Sequence, residues 1–191
     1  MARVSINAPE EYDYKKLFTV TYSDINCAGH MANNMFLSHC NEALLQYLLA
    51  KGHPKTPQNY PGMIGDIAMI TTDCALTFKS EVFYMDELLL EATVHEFSKN
   101  GFDFAFKISR ESTGKLVAVA KIGAIYIDTV NHSVVPIPDL IKEIFSDNMA
   151  RDKNSNFMPP VNNTLSHDPK KHPNHINNES QSSPNYIIKR M

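Results

Sequence analysis

The run Thr19–Leu49, TVTYSDINCAGHMANNMFLSHCNEALLQYLL, constrains the fold more than any other part of the chain. It opens in β-branched and aromatic residues, so Lys15–Ser23 is expected to be a strand. It breaks at Asp24, turns through Ala28-Gly29-His30, and reads as a helix from Asn33 onward. Phe36, Cys40, Ala43, Leu44, Tyr47 and Leu48 fall at helical spacing on one broad apolar face. His39, Asn41, Glu42 and Gln46 fall on other faces, and a local His39–Glu42 pair is expected there. Asn33 or Asn34 suits the N-cap, and Gly52 followed by Pro54 suits the stop. A helix this apolar needs a sheet wrapped around it.

That sheet is written downstream. Residues 53–65 carry Pro54, Pro57, Pro61 and Gly62 and read as a loop. Strands are expected at Ile67–Lys79, Glu87–Phe97, Phe102–Ser109 and Lys115–Asp128, the last two joined by a Thr113-Gly114 turn. Their spacing suggests one antiparallel meander. Pro136 and Pro138 close it, and a short helix is expected to run to Phe145. The expected organisation is a polar lead-in at residues 1–14, a single domain at 15–146, and a flexible tail at 147–191 rich in Asn, Ser, Pro and His. His167, His172 and His175 fall in a Pro- and Asn-rich stretch without Cys, so no metal site is expected from them.

Composition narrows the function classes. The net charge of −3 gives no basic excess to hold nucleic acid. No apolar run approaches the ~20 residues that cross a bilayer. The N-terminus has no apolar core behind Arg3, so no secretory leader is expected. Cys27, Cys40 and Cys74 are scattered without a C-x-x-C pair, which fits reduced thiols in a cytoplasmic protein. Cys40 lies on the apolar helix face, and Cys27 has no matching histidine arrangement for nucleophilic catalysis.

The order strand, long helix, four strands is joined by specific residues: Asp24, then Gly29-His30-Met31-Ala32-Asn33, Phe36, and Glu42-Ala43-Leu44. Later come Phe78-Lys79-Ser80, Met85-Asp86, the Thr113-Gly114 turn and Tyr126-Ile127-Asp128. Together these resemble the hydroxybenzoyl-CoA thioesterase-like acyl-CoA thioesterases over Lys15–Phe145. Ala32, Leu44 and Ser80 depart from that pattern, at positions where it carries Asn, Arg and Pro. The resemblance implies an α+β hotdog fold, a curved antiparallel sheet around one long central helix. It implies a thioester hydrolase in fatty acid metabolism that splits an acyl-CoA into free acid and CoA. It also implies a homodimer or homotetramer whose site lies between subunits. No cofactor is implied, because coenzyme A is part of the substrate, and no metal.

Thioester hydrolysis needs a nucleophile and donors for the oxyanion, since thiolate leaves readily; a helix N-terminus supplies such donors. On this resemblance Asp24, expected at an exposed strand end, is nucleophile or general base. His30 either polarises the carbonyl or bonds the turn backbone. Asn33 orients water or caps the helix, and the N–H groups of residues 31–34 face the oxyanion. Glu42 is the alternative catalytic carboxylate, or a polar residue at a subunit contact. Gly29, Met31, Ala32 and Lys79 are expected to bind substrate, Lys79 toward the phosphates of CoA. Two alternatives remain. One is a hotdog hydratase or dehydratase, whose Asp-x-Asn-Pro-x-His signature is broken here by Cys27 and Gly29. The other is a non-catalytic acyl-CoA-binding protein.

Overall fold

The first strand is short because its last expected residues are drawn into a turn. In the computed structural model, which describes residues 4–55 and 60–152, β1 (Tyr14–Thr19) gives way to a 3-10 turn at Tyr22–Asp24. Asp24 is the cause: its Oδ2 accepts from the Thr21 N–H at 2.7 Å and the Thr21 hydroxyl at 2.8 Å. The strand expected through Ser23 therefore stops at Thr19. The long helix α1 (Asn33–Ala50) follows, then β2 (Met63–Ile64), β3 (Ile67–Phe78), β4 (Glu87–His95), β5 (Gly101–Arg110), β6 (Leu116–Asp128) and β7 (Ser133–Val135). Two short helices, α2 (Asp139–Ile144) and α3 (Ser146–Arg151), complete the described chain.

The strands form one antiparallel sheet in the order β1-β4-β5-β6-β3-β2, with β7 added beside β6. The expected meander holds only for β4-β5-β6. β1 occupies the free edge of β4 from Tyr14↔Ala92 to Thr19↔Glu87, so β3 pairs with β6 on the far side instead. The connection containing α1 thus leaves one edge of the sheet and returns at the other, which lays the helix across the curved face. This is the hotdog architecture expected from the sequence.

The core forms where helix meets sheet. The six helix residues placed on the apolar face are all buried. Against them stand Leu88, Leu90, Ala92 and Val94 of β4 and Phe102, Phe104, Phe106 and Ile108 of β5. β6 sets Ala124, Ala120 and Ala118 opposite Phe102, Phe106 and Ile108, so small residues make room for large ones under the helix.

Both ends of the domain extend beyond the sequence expectation. The tail was expected to begin at residue 147, yet residues 146–151 form α3, and Asn148 and Met149 are each 2% exposed. The reason is a buried polar network rather than an apolar period. The Asn148 amide donates to Asp13 at 3.1 Å and to Thr93 at 3.1 Å, and Tyr47 donates to the other Asp13 oxygen at 2.5 Å. Asp13, part of the expected lead-in, is thereby tied to the end of α1. Residues 153–191 of the expected tail lie outside the described residues.

Candidate active site at the start of the central helix

The turn between β1 and α1 is held by backbone bonds that dictate where the helix begins. The Asn26 side chain accepts from the Ala28 N–H at 2.8 Å, and its backbone carbonyl accepts from Gly29 at 3.0 Å. Gly29 sits at φ +83°, a conformation that favours glycine. Beyond it, the Met31 N–H donates to Val82 and the Ala32 N–H donates to the Asp24 carbonyl, both at 2.8 Å. These two bonds keep the chain extended through Ala32, so Ala32 is the N-cap and offers no capping side chain. Asn33 and Asn34, each expected as a possible cap, stand instead inside the first helical turn. With Met31 and Ala32 already spoken for, the N–H groups of Asn33 and Asn34 are the donors at the helix start.

Beside this helix start lies a cavity of about 330 Å³. Met31, Phe36, Phe78 and Val82 give it apolar walls; His30, Asn33, Lys79, Ser80 and Glu81 give it polar ones. The rings of Phe36 and Phe78 meet edge to face at 5.2 Å. His30 is fixed in the turn, with Nδ1 at 3.2 Å from the Met31 carbonyl and 3.3 Å from the Asn26 amide. A depression of about 610 Å³ lies elsewhere, lined by residues 7–11, the end of β4 and α3, and shares no residue with this cavity.

Asp24 differs most from expectation. It is 3% exposed, not an open strand-end group, and it does not line the cavity. While Oδ2 is taken by Thr21, Oδ1 sits 3.2 Å from Nε2 of His39. Burial works against its ionisation, but the Thr21 and His39 hydrogen bonds outweigh it and hold the carboxyl below the usual carboxylate range. His39 pairs with Asp24 and not with Glu42, and its ring stacks on Phe18 at 4.1 Å and 21°. Glu42 is exposed, accepts from the Gln46 amide at 2.6 Å, and is absent from the cavity wall.

The other residues divide cleanly. Met31 and Lys79 line the cavity, whereas Gly29 and Ala32 shape the backbone without lining it. Cys27 is exposed in the turn, and burial pushes the Cys40 thiol up to about 12. No cluster of metal-ligating side chains occurs among the described residues. The sequence reading missed Glu81 and Val82 as wall residues, and missed His39 as the partner of Asp24.

Known proteins agree with this architecture. The thioesterase-like superfamily model matches residues 20–145. A 1,4-dihydroxy-2-naphthoyl-CoA thioesterase from Synechocystis is 24% identical with a TM-score of 0.64, over 70% of this chain and 96% of that one. A DHNA-CoA thioesterase from Staphylococcus aureus is 18% identical with a TM-score of 0.61, over 71% and 90%. A gentisyl-coenzyme A thioesterase is 17% identical with a TM-score of 0.58, over 69% and 99%. Likeness at these identities speaks for the fold. None of the curated protein sequences gives a match.

Proposed function

The chain belongs to the thioesterase-like superfamily, and from that membership we propose that it hydrolyses an acyl-CoA thioester to the free acid and CoA. The observation that carries this reading is one cavity that joins a histidine to an uncapped helix start, with His30 and Asn33 on the same wall. In this reading the acyl group lies against Met31, Phe36, Phe78 and Val82. The thioester oxygen faces the N–H groups of Asn33 and Asn34. His30 takes a proton from a water, the water oxygen attacks the carbonyl carbon, and negative charge gathers on oxygen where the helix donors meet it. The tetrahedral intermediate then expels the CoA thiolate, which recovers the proton from His30. Lys79 at the mouth meets the CoA phosphates.

The water-activating role goes to His30 rather than Asp24 because Asp24 is buried, already receives three hydrogen bonds and does not line the cavity. The same fact favours a second reading, an acyl-CoA-binding protein without turnover. Release of free thiol from a panel of acyl-CoAs, in the wild type and His30→Gln, separates the two. Hydrolysis that drops by about two to four orders of magnitude in the variant supports the enzyme. Tight binding of acyl-CoA with no thiol release supports the binder.

Assembly is part of the proposal. β2 covers β3 only at Ile67 and Ala68, so the edge from Ile70 to Phe78 has no strand beside it among the described residues. A second copy pairing along that edge makes a homodimer and brings a neighbouring chain next to Phe78, at the cavity. No described helix is long and apolar enough to cross a membrane. The free thiols of Cys27 and Cys74 suit a reducing compartment, and the cytoplasm is the proposed location.

A further inference from the structure

We infer that His39 is a positioning residue for the helix start, acting through Asp24. Its kinetic consequence rests on the hydrolase reading above; its structural consequence does not.

Asp24 stands at the crossing of three constraints. Its carboxylate holds Thr21 at the head of the turn. Its backbone carbonyl accepts the N–H of Ala32, the residue that caps α1. Its remaining carboxylate oxygen accepts from His39, which lies one to two turns into the same helix. The hydrogen bonds therefore close a circuit: Asp24 to Ala32, along the helix to His39, and back to Asp24. The ring of His39 is clamped by its stack on Phe18 of β1. A clamped ring gives the helix one orientation relative to the turn, and so one direction to the Asn33 and Asn34 N–H groups.

Ordinary packing would require only a flat ring on Phe18. The circuit requires a donor N–H. Without it, a buried carboxylate oxygen loses its partner, and Asp24 must either bind a proton or turn away. Because the Asp24 carbonyl holds the cap residue, that movement passes directly to the first helical N–H groups. Oxyanion donors count most in the transition state, so the loss should fall on kcat and spare KM.

His39→Leu keeps the bulk and removes the donor. His39→Gln restores an N–H at the same bond count from Cβ. For the Leu variant kcat is expected to fall about tenfold to a hundredfold with KM within about twofold, and the Gln variant to recover most of the loss. The independent readout is the amide NMR shifts of Asn33 and Asn34, which should move in His39→Leu and hold in His39→Gln. A folded His39→Leu with wild-type kcat and unmoved amide shifts overturns the inference. So does a Gln variant as damaged as the Leu variant by both readouts. Should the wild type hydrolyse no thioester, the hydrolase reading falls while the amide shifts still decide the role of His39. If His39→Leu does not fold, Phe18→Leu takes its place: it keeps the donor but frees the ring. It must shift the Asn33 and Asn34 amides while His39→Gln leaves them in place, and the reverse pattern overturns the inference.

Discussion

Ending the chain at residue 146 rather than 152 removes five of the six α3 residues and Asp152, which accepts from the Phe97 N–H, and it should unfold the domain. Met149 is 2% exposed, and losing a buried methionine side chain costs ~2–5 kcal/mol. Asn148 donates to Asp13 and Thr93 and accepts from Lys51 at 3.3 Å; stripping partners from those part-buried groups costs ~1–3 kcal/mol. The Arg151 pairs with Glu11 and Asp13 are surface pairs and add at most ~1 kcal/mol. The total, roughly 3–9 kcal/mol, is comparable with the ~5–15 kcal/mol that holds an average domain together. Urea denaturation followed by circular dichroism is the assay. The form ending at 152 should unfold cooperatively, and the form ending at 146 should show little or no folded baseline. A 146 form that unfolds within about 1 kcal/mol of the 152 form would show that α3 contributes no more than an ordinary surface segment.

Asp13→Asn should lose stability only where Asp13 is ionised. Burial opposes its charge, but hydrogen bonds from Lys51, Tyr47 and Asn148 bring its pKa down to about 2, below the unfolded value. The wild-type advantage is therefore full above about pH 4 and fades as pH falls toward 2. With the carboxylate 19% exposed, roughly 1–2 kcal/mol is expected at neutral pH; a gap that persists unchanged at pH 2 contradicts the assignment. Two glycines should respond differently to alanine. At Gly101 the new Cβ would lie 1.9 Å from the Ala124 carbonyl oxygen, a backbone atom, and a loss of ~2–3 kcal/mol is expected from thermal melts. At Gly123 it would meet the Asp73 carboxylate at 2.5 Å, a side-chain end on an outer strand that can swing aside, and ~1 kcal/mol or less is expected. Equal losses would show that backbone approach is not what selects Gly101. Glu42→Gln should leave thioester turnover within about threefold of wild type, since Glu42 is exposed and off the cavity wall; a hundredfold loss returns the helix carboxylate to the chemistry.

The parts of the fold that follow a period were legible. Phe36, Cys40, Ala43, Leu44, Tyr47 and Leu48 repeat at the helical interval, so burial on α1 could be read directly; β5 alternates in sequence, yet Ala105 and Ser109 on its other face are buried as well. The end of the domain was not legible because α3, SDNMAR, buries an asparagine. Asn148 is inside because Asp13, Tyr47 and Thr93 converge on it, and no local pattern signals a convergence of residues so far apart in sequence. The site divides in the same way. His30, Met31, Asn33 and Lys79, singled out from the turn and from residues that resemble a known family, line the candidate cavity. The Asp24–His39 contact was hidden because it depends on how α1 is laid back against the turn. An alanine at position 32, in turn, leaves the helix uncapped, which only the backbone bonds of Met31 and Ala32 reveal.

Water activated by His30 should attack the acyl carbon directly while Asp24 stays sealed. A single turnover with enzyme in excess over acyl-CoA, run in water labelled with heavy oxygen, tests it. Mass spectrometry of the free acid and of the peptide containing Asp24 reads the outcome. Heavy oxygen is expected in the acid and none in the peptide, with no acyl-Asp24 peptide trapped by hydroxylamine. An unlabelled acid with heavy oxygen in the Asp24 carboxylate, or a trapped acyl-Asp24 peptide, would show instead that Asp24 attacks the thioester itself.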